Sequence, residues 1–400
     1  MNLAALKSRF PVFQHKPLLV YADNASTTQK PMEVIRAVSD FYEYGCANVH
    51  RGLYKLSEEA TIRYENVRKE VAEFIGTKDD RSIAFTKGTT ESINIVAQGY
   101  LYPTLKQDDE VLITAMEHHA NLIPWQQVCR QRKAVLKVIP VDANGDLIME
   151  ELSSLIGPRT KLVAVTHISN TLGTVNPIRE IIQRAHRYHI PVLVDAAQSV
   201  SYCPIKVDEL DADFLVFSAH KMFGPMGVGV LYAREEYQEQ ITPLIFGGGA
   251  IRNVEFDNTE FMSYPRNLEA GTPDVSGILG LGAAIGFMKQ LDLNFLAAQS
   301  EHLANRLRSG LQEQGFKVIG NARNKSGIVS FVHETIHPHD VASFLASHEV
   351  AVRAGHHCTQ PLLHRLGVVS TVRASFSLYN NHDDVDRILS ALQGLKKFWA

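Results

Sequence analysis

The residues of this chain with chemical potential stand at the ends of apolar runs. In Asp213-Phe-Leu-Val-Phe-Ser-Ala-His-Lys221 an apolar stretch closes on Ser218, His220 and Lys221, and Gly227 and Gly229 precede the next one. Most lysines are solvated. A lysine at the end of a buried strand can instead be desolvated enough to meet a carbonyl carbon as a free amine. Pro191-Val-Leu-Val-Asp195 sets a carboxylate at a similar point, with Gln198 three residues on. An acid there either caps a helix or pairs with a ligand cation, because open α/β sheets bind ligands at strand carboxyl ends. Thr86-Lys-Gly88-Thr89-Thr90-Glu91 offers glycine, hydroxyls and free amides to an anion, although the same residues also make an ordinary helix start. His118, within Glu117-His-His-Ala-Asn121, follows another apolar run, where an imidazole either stacks on a flat ligand or serves structure. Cys358 ends Arg353-Ala-Gly-His-His-Cys358, a polar turn that suits a nucleophile better than an inert core thiol. Arg373, in Thr371-Val-Arg-Ala-Ser-Phe376, carries the planar fork that suits a substrate carboxylate, or else a structural ion pair.

Positioning these groups requires a sheet with helices on both faces. The sequence predicts strands at Ser82–Phe85, Glu110–Thr114, Val135–Val141, Lys161–His167, Val192–Asp195, Phe214–Ser218 and Val228–Tyr232, several of them continuously apolar. Helical patterns lie between them, as in Ala60, Tyr64, Val67, Val71 and Phe74, which trace one face. Beyond about Gly277 a long helix (Asn294 to Glu313) leads into Val318, Gly327–Val332, a helix from Pro338, Val350–Arg353, Thr371–Phe376 and a last helix from His382. The expected fold is α/β: a large, mostly parallel-sheet domain over residues 17–279, and a smaller α+β domain from residues 1–16 and 280–400.

Composition narrows the function classes. The 400 residues are 45% hydrophobic and 21% charged, with a formal net charge of −3. That balance argues against chain-wide attraction to nucleic acid or anionic membrane. No apolar run reaches the roughly 18 residues of a membrane span; the nearest, Gly277 to Met288, is broken by glycines. Charges occupy the part of MNLAALKSRFPVF where a signal peptide would be apolar. Cys46, Cys129, Cys203 and Cys358 lie far apart, which suggests neither disulfides nor a metal site and makes a reducing cytoplasm the expected location. Cys46, Cys129 and Cys203 read as bystanders. No G-x-S-x-G elbow supports a serine hydrolase.

A lysine, a carboxylate, an aromatic platform and a phosphate cup at separate strand ends are the parts of a pyridoxal 5'-phosphate site. Here the chain resembles the class V, fold-type I pyridoxal-phosphate enzymes, and among them the NifS-like cysteine desulfurases of group II (SufS/CsdA type), over essentially its whole length. Tyr21-Ala-Asp23-Asn-Ala25, Asn48-Val-His50-Arg51, Gly88-Thr-Thr-Glu91, Glu117-His-His-Ala-Asn121, Ser169-Asn170, Leu268-Glu-Ala-Gly-Thr272-Pro and Arg353-Ala-Gly-His-His-Cys358 carry the resemblance together with the lysine segment. It implies that Lys221 bears the cofactor, Asp195 pairs with its ring nitrogen, and His118 stacks on the ring. Thr90, Ser218 and His220 would hold the phosphate, with Thr272 reaching in from a second subunit, while Asn170 and Gln198 contact the phenolic oxygen. Arg373 would bind the substrate carboxylate, with Arg353 as a second anchor and Asn170 beside them. Ala196, Ala219 and Asn24 depart mildly from the family pattern.

The implied reaction converts L-cysteine to L-alanine. Lys221 moves the α-proton, Cys358 receives the sulfur as a persulfide, and His118 assists proton transfer. The same resemblance implies a homodimer, a SufE-like acceptor protein and a role in iron–sulfur cluster or other sulfur-transfer pathways. L-Selenocysteine is an alternative substrate. Selenocysteine lyase, cysteine sulfinate desulfinase and class V aminotransferase are the competing activities, and a non-catalytic scaffold is the alternative from another class.

Overall fold

The computed structural model describes residues 3–399. A short strand, β1 (Val20–Tyr21), precedes the seven strands of the principal sheet. These are β2 (Ile83–Thr86), β3 (Glu110–Thr114), β4 (Val135–Ile139), β5 (Thr160–Thr166), β6 (Val192–Asp195), β7 (Phe214–Ser218) and β8 (Gly229–Ala233). Their spatial order is β2-β8-β7-β6-β5-β3-β4, and β8 alone runs against its neighbours. These seven strands match their predicted ranges to within one residue, except that the predicted Val135–Val141 ends two residues earlier, at Ile139.

The continuous apolar runs follow from burial on both faces. Along β7, Leu215 and Phe217 enter one core cluster while Phe214 and Val216 enter another. The same alternation holds in β5, where Val163 and Val165 oppose Leu162 and Ala164. Helices cover both faces. Lys55–Ile75 buries Ala60, Tyr64, Val67 and Val71 as its spacing predicts. The glycine-broken run of the sequence is a helix, Val275–Met288, buried nearly all round. A Cβ at Gly282 would lie 2.7 Å from Val67, so the glycine lets this helix approach Lys55–Ile75 closely.

A hairpin of β9 (Ile251–Val254) and β10 (Thr259–Phe261) stands apart. The last third of the chain builds a second, four-stranded antiparallel sheet from β11 (Lys317–Ile319), β12 (Ile328–Val332), β14 (Arg353–Gly355) and β15 (Thr371–Ser375), in the order β11-β12-β15-β14. Helices Leu293–Glu313, Pro338–Ser347 and His382–Trp399 pack on one face of it. The remaining strand, β13 (Val350–Ala351), pairs in parallel with β1. The first thirty residues thus join the two sheets: Asn24 donates to Ser375 O at 2.6 Å, and Ala25 N donates to Ser375 Oγ at 2.9 Å.

Candidate active site

Because β2, β3, β5, β6 and β7 point the same way, their carboxyl ends deliver side chains to one edge of the sheet. The cavity there, about 250 Å³, is lined by Thr90, His118, Asn170, Asp195, Gln198, Ser218, His220, Lys221, Arg353, Cys358 and Arg373. Thr272 is not among them; it is exposed and borders a separate pocket with Asn48, His50 and Arg51.

Asp195 is buried, and its Oδ1 accepts from Ala197 N at 2.9 Å without starting a helix. Burial raises its carboxyl pKa, against the pull of that amide and of Lys221. Lys221 lines the same cavity, where burial lowers its pKa while Asp195 and Cys358 draw it back up. Both shifts favour neutral forms, the condition in which a lysine is nucleophilic.

The anion cup joins two strand ends. Thr89 N donates to Ser218 Oγ at 2.8 Å, and the two hydroxyls meet at the same distance. Gly229, opening β8 between β2 and β7, lets these ends converge. A Cβ there would sit 2.4 Å from Gly88 Cα. His220 lines the same cup, and burial together with Lys221 and Lys30 lowers its pKa to about 4.

His118 Nδ1 accepts from Ala120 N at 3.0 Å. Its pKa is lowered to about 3, chiefly by burial and then by Lys221, so the ring is neutral with its proton on Nε2. Behind it Glu117 is fully buried. Its Oε1 accepts from Thr114 Oγ1 (2.6 Å) and Thr166 N (3.0 Å), and its Oε2 accepts from Asn121 Nδ2 (2.6 Å). Trp125 Nε1 donates to Asn121 Oδ1 at 2.9 Å, which fixes the amide's orientation. Burial pushes Glu117 up to about 8 against these donors.

The cysteine turn is held in an uncommon conformation. His357 and Cys358 both have positive φ, 50° and 57°. Each costs about 1–2 kcal/mol without glycine, so neighbouring contacts must hold them. His119 N donates to Cys358 O at 2.7 Å, and Asn170 Nδ2 donates to His357 O at 2.7 Å. Thr171 and Thr359 share a hydroxyl bond at 2.7 Å. His357 Nε2 lies 2.8 Å from Thr371 Oγ1, and burial lowers this ring's pKa to about 3. Cys358 remains exposed. Burial instead raises Cys129 and Cys203 to about 11, as suits bystanders.

Arg373 is 2% exposed. Its Nη1 donates to Asn170 O, its Nη2 donates to Asp23 Oδ1 at 3.0 Å, and its Nε has no partner among the described residues. Arg353 Nε reaches the other oxygen of Asp23 at 3.3 Å. Asp23, His357 and Glu117 are site residues to which no role fell from the sequence. Asp23 had only its place in a short motif as a signal, and the other two had only their neighbours His118 and Cys358.

Residues 20 to 388 match the aminotransferase class-V family. The chain belongs to that family. A curated member from Halalkalibacterium halodurans, a probable cysteine desulfurase, is 42% identical over 100% of this chain and 99% of its own. A cysteine desulfurase of Escherichia coli is 40% identical over 98% of each chain. Among solved family structures, cysteine desulfurase CsdA from Escherichia coli superposes with a TM-score of 0.93 at 38% identity, over 100% of this chain and 99% of that one. The apo cysteine desulfurase of Thermococcus onnurineus gives 0.94 at 39%, over 98% of each. No helix among the described residues is long and apolar enough to cross a membrane.

Proposed function

We propose that this chain is a pyridoxal-phosphate-dependent cysteine desulfurase, forming L-alanine from L-cysteine and retaining the sulfur on Cys358. The observation that carries the reading is one cavity holding Lys221, Asp195 and Cys358 together with the buried, partly unpartnered Arg373.

The residues fit the cofactor on their own chemistry. Asp195 is a buried carboxylate without a protein cation bonded to it among the described residues, which suits a protonated ring nitrogen. The Gly88–Thr90 cup closes on Ser218 only because position 229 lacks a Cβ, which would collide with the Gly88 backbone. When bound, pyridoxal phosphate supplies an aldehyde that captures an amine and a ring that stabilises charge at the amino acid's α-carbon. Thr90, Ser218 and His220 would hold its phosphate, His118 would stack on its ring, and Gln198 would contact its phenolic oxygen. Gln198 is steadied by donating to Ala25 O at 2.7 Å.

Arg373 binds the substrate carboxylate, its unpartnered Nε supplying a donor, and Arg353 and Asn170 complete that end. Lys221 Nζ accepts the substrate α-proton. Cys358 Sγ attacks the substrate sulfur, so an S–S bond forms as the C–S bond breaks, and a proton returned to the carbon skeleton yields alanine. With its proton on Nε2, His118 acts first as a donor.

The proposed assembly is a homodimer in which Thr272, exposed and outside this chain's own cavity, completes the partner's phosphate site. The acceptor is a SufE-like protein that visits the exposed thiol, feeding iron–sulfur cluster or other sulfur transfer in the cytoplasm. Selenocysteine serves as a second substrate of the same site. The proposed domains are residues 17–279, which contain the principal sheet, and residues 1–16 with 280–400, which contain the four-stranded sheet; positions 1, 2 and 400 lie outside the described residues.

The test incubates the reconstituted protein with L-cysteine, quantifies alanine, and weighs the peptide carrying Cys358. One added sulfur on that peptide, absent in Cys358→Ala together with desulfuration, is the expected result. Undiminished sulfide release by Cys358→Ala would overturn the role of this thiol.

A further inference from the structure

The turn Ala219–Lys221 uses Ala219 O twice, accepting from Met222 N and Gly224 N at 2.9 Å each. The next carbonyl, His220 O, is served by a segment 190 residues earlier. Four donors converge on it: Thr28 N at 3.0 Å, Thr27 Oγ1 at 3.0 Å, Thr28 Oγ1 at 3.1 Å and Lys30 Nζ at 2.9 Å. A carbonyl has two lone pairs, so this oxygen is over-subscribed. Thr28 Oγ1 itself accepts from Phe223 N at 2.8 Å, which leaves its proton free to turn toward His220 O.

Seen from Lys30, the ammonium sits among oxygens: Thr28 O at 2.7 Å, His220 O at 2.9 Å and Thr27 Oγ1 at 3.5 Å. Two carbonyls and a hydroxyl are the ligand type that holds a monovalent cation. Among the described residues no acid is paired with this charge, and burial lowers Lys30 to about 7. The titratable groups facing it are His220, whose protonation Lys30 opposes, and beyond it Lys221. An anion held beside His220 would favour the charged form of Lys30.

We propose that Lys30 is a positioning residue, a cation tethered to the chain that fixes the His220 carbonyl and so the backbone from which His220 and Lys221 enter the site. The proposal rests on the pyridoxal-phosphate reading for its consequence, and on geometry alone for the clamp.

Two full-length variants separate charge from packing. Lys30→Ala leaves the oxygen set open to solvent cations, whereas Lys30→Met keeps the stem and fills the space. In buffer free of potassium and ammonium, both are expected to hold pyridoxal phosphate at least about tenfold more weakly, as loss of a charge-assisted bond implies. Binding is followed by visible circular dichroism. Ammonium chloride should restore most of the affinity of Lys30→Ala but not of Lys30→Met, and tetramethylammonium, too large for the space, should restore neither. Should Lys30→Ala not accumulate folded, Lys30→Ser carries the same comparison.

The thermal midpoint of the cofactor-free proteins is the second readout, with ammonium raising it for Lys30→Ala and leaving wild type unchanged. Wild-type affinity in Lys30→Met, or equal ammonium responses in Lys30→Ala and Lys30→Met, overturns the proposal. Failure of the wild-type protein to capture pyridoxal phosphate would count against the functional reading alone, because the midpoint shift still tests the clamp.

Discussion

Glu117→Gln is nearly isosteric, yet above about pH 8, where Glu117 is ionised, it should destabilise the protein. Every partner of Glu117 is a donor: Thr166 N and Asn121 Nδ2 without choice, and Thr114 Oγ1 because it already accepts from Met116 N at 3.1 Å. Asn121 cannot turn its oxygen toward a glutamine, because Trp125 Nε1 occupies that oxygen. Whichever way the introduced amide lies, one N–H group faces another. Losing a hydrogen bond to a charged group costs about 1.5–3 kcal/mol. Relief of the buried charge offsets part of this, leaving about 2 kcal/mol. At ~2.1 cal/mol/K of unfolding entropy per residue over the whole chain, that is a shift in Tm of about 2–3 °C, or a correspondingly lower urea midpoint. Trp125→Phe supplies the control. It frees Asn121 to flip, so the double variant should be more stable than the summed single effects by about 1–2 kcal/mol. A Glu117→Gln variant as stable as the parent, or strictly additive effects, would refute the assigned donor directions.

Three more predictions test other parts of the site. His118 and His357 titrate near 3, and His167 and His220 near 4, in the fold, against 6.5 as the ordinary value. The unfolded chain therefore binds more protons between these values, and the cofactor-free protein should lose stability as pH falls from 6.5 toward 4; a flat Tm over that range contradicts the burial argument. Gly229→Ala should push the Gly88 turn away from Ser218 and weaken inorganic phosphate binding at least about fivefold by calorimetry, a cost of ~1 kcal/mol or more. Glu269→Ala removes the carboxylate to which Arg68 donates at 2.7 and 2.9 Å, leaving it Glu65 at 2.9 Å and Ile83 O, and should cost about 1.5–3 kcal/mol in chemical denaturation.

What the sequence shows and what it conceals divide along chain distance. Lys221, Asp195 and His118 are legible because each follows or ends an apolar strand, and strand ends of a parallel sheet share an edge. Cys358 is legible from its immediate neighbours. The antiparallel course of β8 is not, since direction leaves no mark on a run such as Gly-Val-Leu-Tyr-Ala. Nor is the Lys30 clamp or the Asp23 bridge to Arg373, because such contacts join residues hundreds of positions apart by single polar atoms that no periodicity reports. Glu117 carries no mark of its role beyond its place beside His118; its burial depends on Trp125 and Thr166 arriving from other elements.

The strap formed by residues 20–30 has a consequence for how the chain is made. This segment leaves the ribosome early, yet β1 pairs with β13, Asn24 and Ala25 bond to Ser375, and Lys30 bonds to His220. Its first half has no place to settle until the chain has been synthesised past Ser375, and its second half waits for His220. Closure of so long a loop is slow, and large chains gather such contacts late. The expected folding order therefore runs against the synthesis order for this edge of the site: the principal sheet forms before the earlier-made strap locks Lys221 and Arg373. A chain truncated before Ser375 should fold its large sheet with an unfinished site.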